Sequence, residues 1–325
     1  MVAPGTTTPI VEMGTVYAGS VDHHLYAIDV ATGEQRFATD IGDEVSPGIV
    51  YHDGVVYGTG PGGIFGVDAD SGDLVLDFSR RSGFGTDAPL VNGETLFYSQ
   101  DDLFALDVTT DELLWTKDGP SAFGATPALH DGVLVTSDAG DTDTLPSNQS
   151  YIYGLDPEDG TTRWRRYVAE DSLVSPVTVS TTHDIAVLAG RYGTLAAFDV
   201  ASGEERWRTT VEKTGNVPYR PHASGDLVYL PIGADGVRAY EITTGDIAWT
   251  AGGSVGAGTT VHPFDGRLYT STPTQVVEID STSGELLAQH ELPSRRASGT
   301  GVVLTETTTV YPTRTAELRS VTRDP

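Results

Sequence analysis

Apolar and polar residues alternate in short runs along the whole chain. Leu25-Tyr-Ala-Ile-Asp29 is representative, and its period of two predicts a β-strand. Asp29 to Gly33 then reads as a tight turn. Its carboxylate can accept turn N–H groups, and its glycine can take positive φ without a Cβ clash. Residues 34–37 begin a return strand. Upstream, Pro9 with Gly14-Thr-Val-Tyr17 predicts another hairpin, which recurs as Asp53-Gly54-Val-Val-Tyr57 and Asp131-Gly132-Val-Leu-Val135. Each unit therefore predicts four antiparallel strands.

The unit repeats. Trp115, Trp164, Trp207 and Trp249 each lie eight residues after an acidic residue, in ALDVTTDELLW (105–115), GLDPEDGTTRW (154–164), AFDVASGEERW (197–207) and AYEITTGDIAW (239–249). Three further copies lack the tryptophan: AIDVATGEQRF (27–37), GVDADSGDLVL (66–76) and EIDSTSGELLA (278–288). The acidic positions 29, 68, 107, 156, 199, 241 and 280 are 39, 39, 49, 43, 42 and 39 residues apart. A period near 40 is the signature of a propeller or array. The aromatic slot, filled by Phe37 and the four tryptophans, is expected to dock blades, each ring landing on the small Ala27-type position or on the adjoining blade.

An eighth copy starts at Val310-Tyr311 and Leu318-Arg-Ser-Val-Thr322 but stops before the turn glycine. The expected fold is thus all-β: a single-domain, eight-bladed propeller of four-stranded antiparallel blades, the last with three strands. Its blades fall at about 8–45, 46–85, 86–124, 125–173, 174–217, 218–257, 258–298 and 299–325. The repeat register puts the missing outer strand just before Met1. This predicts a natural precursor that continues upstream with a tryptophan-bearing strand and an export signal.

The pattern A-x-D-x-x-T-G-x-x-x-W resembles the docking motif of the PQQ-like (quinoprotein-type) propeller repeat family. That family includes outer-membrane-assembly lipoproteins and quinoprotein dehydrogenases. The same repeat serves enzymes and inert scaffolds, so the resemblance implies a fold before it implies an activity. Quinoprotein enzymes are far longer, and many carry a vicinal disulfide, a catalytic Asp and Ca²⁺ ligands. Here cysteine is absent and every Asp and Glu reads as occupying its repeat column. The length fits the non-catalytic, lipoprotein-like members.

Charge narrows the partners. With 46 Asp+Glu against 19 Lys+Arg the net charge is −27, and Lys117 and Lys213 are the only lysines. Such a surface disfavours nucleic acid and anionic membranes. With the scarcity of lysine it resembles the proteins of haloarchaea, which stay soluble where salt screens self-repulsion. No run of 18 apolar residues exists to span a membrane. The start, MVAPGTTTP, lacks the regions of a signal peptide. The location is therefore extracytoplasmic, at the cell surface, if the natural chain extends upstream of Met1, and cytoplasmic otherwise.

Local motifs are mostly explained by the repeat. Gly58-Thr-Gly60-Pro-Gly62-Gly63 matches a dinucleotide fingerprint formally, but a repeat strand follows where a helix is required. Gly252-Gly-Ser254-Val-Gly256 resembles a nucleophile elbow without the strand-to-helix context. Asp138, Asp141 and Asp143 alternate in the longest insertion, where oxygen ligands could hold Ca²⁺, yet the rest of an EF-hand loop is missing. His23-His24 reads as an exposed hairpin tip. Arg220, His222 and His262 stand out, because both histidines follow the Pro slot of neighbouring innermost strands and Arg220 departs from a Thr/Ser/Ala column. They are the candidate ligand site, a cationic spot at a channel mouth. The reading is a monomeric, non-catalytic scaffold that binds another protein and needs no cofactor or metal. The alternatives are a PQQ-dependent dehydrogenase-like chain or a binder of small anions.

Overall fold

The computed structural model describes residues 8–45, 48–79, 88–99, 102–117, 126–138, 149–169, 175–190, 192–212, 220–252, 261–272 and 274–292, and the backbone of strands at 303–304, 308–312 and 318–322. Apart from one 3₁₀ turn at Gly233–Asp235, the described residues hold no helix. None is therefore long and apolar enough to cross a membrane.

Seven four-stranded antiparallel sheets form, at 10–40, 49–79, 90–117, 128–169, 178–210, 222–251 and 261–291, each with its strands in chain order. This all-β propeller of four-stranded blades matches the expectation in kind but not in number. The count of eight, with a final three-stranded blade at 299–325, is overturned: among the described residues there are seven four-stranded blades. Val303–Leu304, Thr308–Pro312 and Leu318–Thr322 pair only with one another, as a separate three-stranded sheet. Thr322 stands in the column that holds an acidic residue at 29, 68, 107, 156, 199, 241 and 280. Two hairpin strands matched by spacing do not make a blade.

The fifth blade shows how sequence produces the unit. Its strands are Thr178–Ser180, Ile185–Ala189, Thr194–Asp199 and Glu205–Thr210. Asp199 Oδ1 accepts the Ser202 N–H at 2.8 Å and the Ser202 hydroxyl at 2.7 Å, and the Gly203 N–H closes on Asp199 O at 2.8 Å. In the first blade Asp29 also receives Arg36 at 2.8 Å, and that guanidinium holds its carboxyl down at about 2. A register shift follows this turn, at Ala197/Phe198, and the corresponding turns of the first, second, fourth, sixth and seventh blades, so two residues of the return strand oppose one of its partner.

By contacts the chain divides into two compact units, 1–114 with 292–325, and 115–291. Within each, the apolar cores lie between successive blades. In the larger unit one core joins Ile152 and Trp164 to Leu188 and Phe198, and the next joins Trp207 to Tyr240 and Ile242. The docking rings sit at these seams. Trp207 is 8% exposed, pairs across strands with Ala197, and donates its indole N–H to Ile242 O of the next blade at 2.7 Å. Its face lies against Gly245, where an added Cβ would come within 2.5 Å of Cε3. Trp115, Trp164 and Trp249 repeat this on Pro157 O, Val200 O and Ser281 O at 3.0, 2.9 and 3.2 Å. Phe37, half-buried, covers Gly72 in the smaller unit. Both options left open by the sequence are realised together, since each tryptophan between the fourth and seventh blades spans its own small position and the neighbouring turn. Trp207→Ala is expected to lower unfolding free energy in urea by roughly 3–5 kcal/mol, the usual loss for a buried ring. An unchanged denaturation midpoint would contradict the docking role.

Candidate functional site

The two histidines singled out by sequence occupy one register position. His222 pairs with Tyr229 and His262 with Tyr269, on the first strands of the sixth and seventh blades. The same position holds Ile10, Val50, Leu90, Ala128 and Thr178 in the other blades. Histidine thus stands in two successive blades where the other five carry an apolar or small residue. Arg220, half-buried, precedes His222 by two residues. The charge differs from the sequence expectation at His222. Its side chain reaches solvent, but the protein mass around it penalises the charged form and lowers its pKa. His222 is thus neutral at neutral pH and adds a donor and an acceptor, not a cation.

The same two strands lead into a cleft of about 530 Å³ between the hairpin tips of the sixth and seventh blades. Asp226, Glu241, Asp265 and Arg267 line it, with Tyr229 and Phe264 supplying aromatic surface. Phe264 is 37% exposed. Asp265-Gly266 is a hairpin turn with positive φ at both residues, 48° and 71°, which Asp and Gly tolerate. Asp226 is tied to the preceding blade, accepting from or pairing with His183 Nε2 at 2.7 Å. His130 and Asp184 join the fourth and fifth blades in the same way at 2.7 Å. The Tyr229 hydroxyl donates to Ser281 O at 3.2 Å, closing the floor beside Trp249.

Arg267 is held by a group that sequence reading missed. Glu278 is 1% exposed, with Arg267 Nη1 at 2.7 Å from one carboxylate oxygen and His290 Nε2 at 2.8 Å from the other. Glu278 pairs with Ala288, whereas its counterparts Ala27, Ala197 and Ala239 pair with Phe37, Trp207 and Trp249. The expectation that no Asp or Glu leaves its repeat column is therefore wrong at Glu278. The seventh blade exchanges the small residue and the ring, and the space vacated by the ring admits a buried, doubly paired carboxylate. The signal was present as the paired change at 278 and 288, but the block had been aligned on Asp280.

A second buried carboxylate, Asp138, accepts the Tyr153 hydroxyl and, at 3.0 Å, the Tyr151 N–H. Burial, and then that carboxylate, push the Tyr153 phenol well above its ordinary range. Arg165 stacks 3.7 Å over Tyr151. Asp138 is thus engaged within its own blade, while Asp141 and Asp143 of the suggested Ca²⁺ loop lie outside the described residues, as does Ser254. Among the described residues no group of three or more His, Asp or Glu side chains is arranged to hold a metal ion. Gly60 and Gly63 pair across a hairpin, so the GxGxxG there is a β-turn. His23, exposed at φ 72°, caps a tip beside Asp22.

The model of a family described as outer membrane protein assembly factor BamB matches residues 67–171 and 148–314. A tetrathionate hydrolase of Acidithiobacillus ferrooxidans is 22% identical over 87% of this chain, which spans 66% of that protein's length. Among solved structures, BamB from Moraxella catarrhalis aligns over 98% of this chain and 97% of its own at 15% identity and TM-score 0.76. A quinohemoprotein alcohol dehydrogenase from Pseudomonas putida HK5 aligns over 96% and 70% at 14% identity and TM-score 0.68. The chain belongs to the outer membrane protein assembly factor BamB family. The structural likenesses carry the propeller fold and no activity.

Truncating Glu278 would leave Arg267 and His290 facing a buried gap. Glu278→Ala is expected to cost roughly 2–4 kcal/mol in urea denaturation, below the usual loss for a broken buried pair because Arg267 is partly solvent-screened. A wild-type midpoint in that variant would show that the carboxylate is dispensable.

Proposed function

We propose that this BamB-family chain is a non-catalytic scaffold that binds another protein through the hairpin-tip cleft of its sixth and seventh blades, acting at the cell surface of a salt-loving organism. The observation that carries the reading is the cleft's make-up: carboxylates Asp226, Glu241 and Asp265 around exposed Phe264, with a single guanidinium, Arg267, fixed by a buried partner. An aromatic anchor with a charged rim suits the burial of a partner's aromatic and basic side chains. The net charge of −27 would steer a basic partner and repel an acidic one. Family membership supports a protein partner over a small substrate, and the proposal needs no cofactor. The extracytoplasmic, halophilic setting rests on the acidic, lysine-poor composition and on the family.

A second reading, a small anionic ligand at Arg220, His222 and His262, is favoured by the departure of both histidines from an apolar column. The enzymatic variants of that reading have the tetrathionate hydrolase and quinohemoprotein likenesses on their side, at low identity.

Capture on the immobilised chain in molar KCl separates the two. Partners held by the wild type should fall at least about tenfold with Phe264→Ala or Asp265→Asn, a loss typical of a central anchor, and persist with Arg220→Ala. Loss on Arg220→Ala alone would favour the second reading, and partners indifferent to all three variants would overturn the cleft.

A further inference from the structure

Three residues of the larger unit leave their repeat columns and meet in the cleft between the sixth and seventh blades. Phe264 ends its first strand at a position held elsewhere by Glu12, His52, Asn92, His130, Ser180 and Ser224, so one exposed ring stands in a polar column. Arg267, its cross-strand partner, is the charged exception in its own column, and the buried Glu278 accounts for that change. Glu241 is the one glutamate among aspartates at 29, 68, 107, 156, 199 and 280. Its extra methylene changes what the carboxylate does. The six aspartates each accept one or two turn N–H groups on Oδ1, at 2.7–3.0 Å. Among the described residues no donor reaches the carboxylate of Glu241, although the backbone of its turn is the usual one, with the Gly245 N–H on Glu241 O at 2.8 Å. Glu241 is half-buried and lines the cleft. The turns that carry these three residues all lie within the described residues.

Building on the reading of this cleft as a protein-binding site, we propose that Glu241 selects an arginine of the partner, whose guanidinium sits on that carboxylate and against the Phe264 ring. A half-buried carboxylate that its own turn does not use has lost water without gaining a donor, and a charged donor carried by a ligand makes good the loss. The sign of the ligand follows from the lining. Asp226 and Asp265 add to the charge of Glu241, whereas Arg267 is neutralised by Glu278, so an anion is disfavoured. Asp226 is engaged by His183 at 2.7 Å and Asp265 stands on an exposed tip, which leaves Glu241 as the selecting group. The shape of the ligand follows from the ring. A guanidinium is planar and weakly hydrated, offers a fork of N–H groups that matches a carboxylate, and stacks on an aromatic face; an ammonium is a compact, strongly hydrated point charge. Phe264 supplies the face and Glu241 the carboxylate, within a space of about 530 Å³.

The probes are capped tripeptides Gly-Arg-Gly, Gly-Lys-Gly and Gly-citrulline-Gly, the last a neutral isostere of the first. Each is titrated into the full chain at one salt concentration and followed by backbone amide shifts. Saturable binding of the arginine peptide is expected, at least about fivefold tighter than that of the lysine peptide, with shifts centred on residues 241–246 and 264–267. The citrulline peptide should not saturate below about 10 mM. Glu241→Gln should weaken the arginine peptide at least about tenfold. Glu241→Asp should do so too, although it keeps the charge, because an aspartate there returns to the turn N–H groups as in the other six blades. Asp246→Asn removes the same charge from an exposed position of the same turn outside the cleft, and should bind as wild type. No saturation by the arginine peptide below about 10 mM, equal affinity for arginine and lysine, wild-type binding by either Glu241 variant, or an equal loss in Asp246→Asn would overturn the proposal. Partners captured through Phe264 but indifferent to Glu241→Gln would overturn the arginine alone and leave the cleft standing. Capture indifferent to Phe264→Ala, with no peptide bound, would remove the cleft as well.

Discussion

The packing of one blade's ring on the next blade's turn is the contact on which the rest of the chain depends. A four-stranded antiparallel sheet has two faces to cover and cannot bury them alone. Here the faces meet in shared cores, and the ring of the fourth strand fixes how they meet. The indole lies on a glycine Cα, which only a residue without Cβ permits, and its N–H is satisfied by a carbonyl in the same turn. The turn carboxylate shapes that platform by collecting N–H groups. Asp, Gly and Trp recur together because each serves one contact.

That coupling is why the repeat was legible. Residues at fixed spacing with a shared physical role leave a period in the sequence, and the blade type, the turn and the docking rings could be read from it. The number of blades could not. Val310-Tyr311 and Leu318 to Thr322 match two strands of the unit, but strand alternation alone does not carry the turn on which docking rests. The seventh blade was misread for a related reason: its block aligned on Asp280, and the exchange of Glu278 for alanine was hidden by that match. A compensating change, small for ring and carboxylate for small, is visible only when both strands are laid side by side.

The candidate sites lay at different depths. His222 and His262 were readable as departures from a column, and each pairs with a tyrosine at the same register position of its blade. The charge of His222 was not readable, because it is set by burial in the folded protein. The hairpin cleft was invisible for the same reason: Asp226, Glu241 and Phe264 come together only once two blades pack. Arg267 joins them as a rigid cation, its guanidinium tied to a carboxylate that the missing ring made room for.

The central claim is that turn glycines matter as seats for rings and not merely as flexible residues. Gly203 and Gly132 share φ +69°, so alanine strains both alike, at a cost of about 1 kcal/mol. They differ in what a Cβ meets: Trp164 Cδ2 at 2.4 Å for Gly203, and nothing within 4 Å for Gly132. Urea denaturation of Gly203→Ala and Gly132→Ala side by side isolates the docking contribution. The account predicts a clearly larger loss for Gly203→Ala, with the Trp164 fluorescence transition moved to lower urea. Equal losses for the two variants would contradict it.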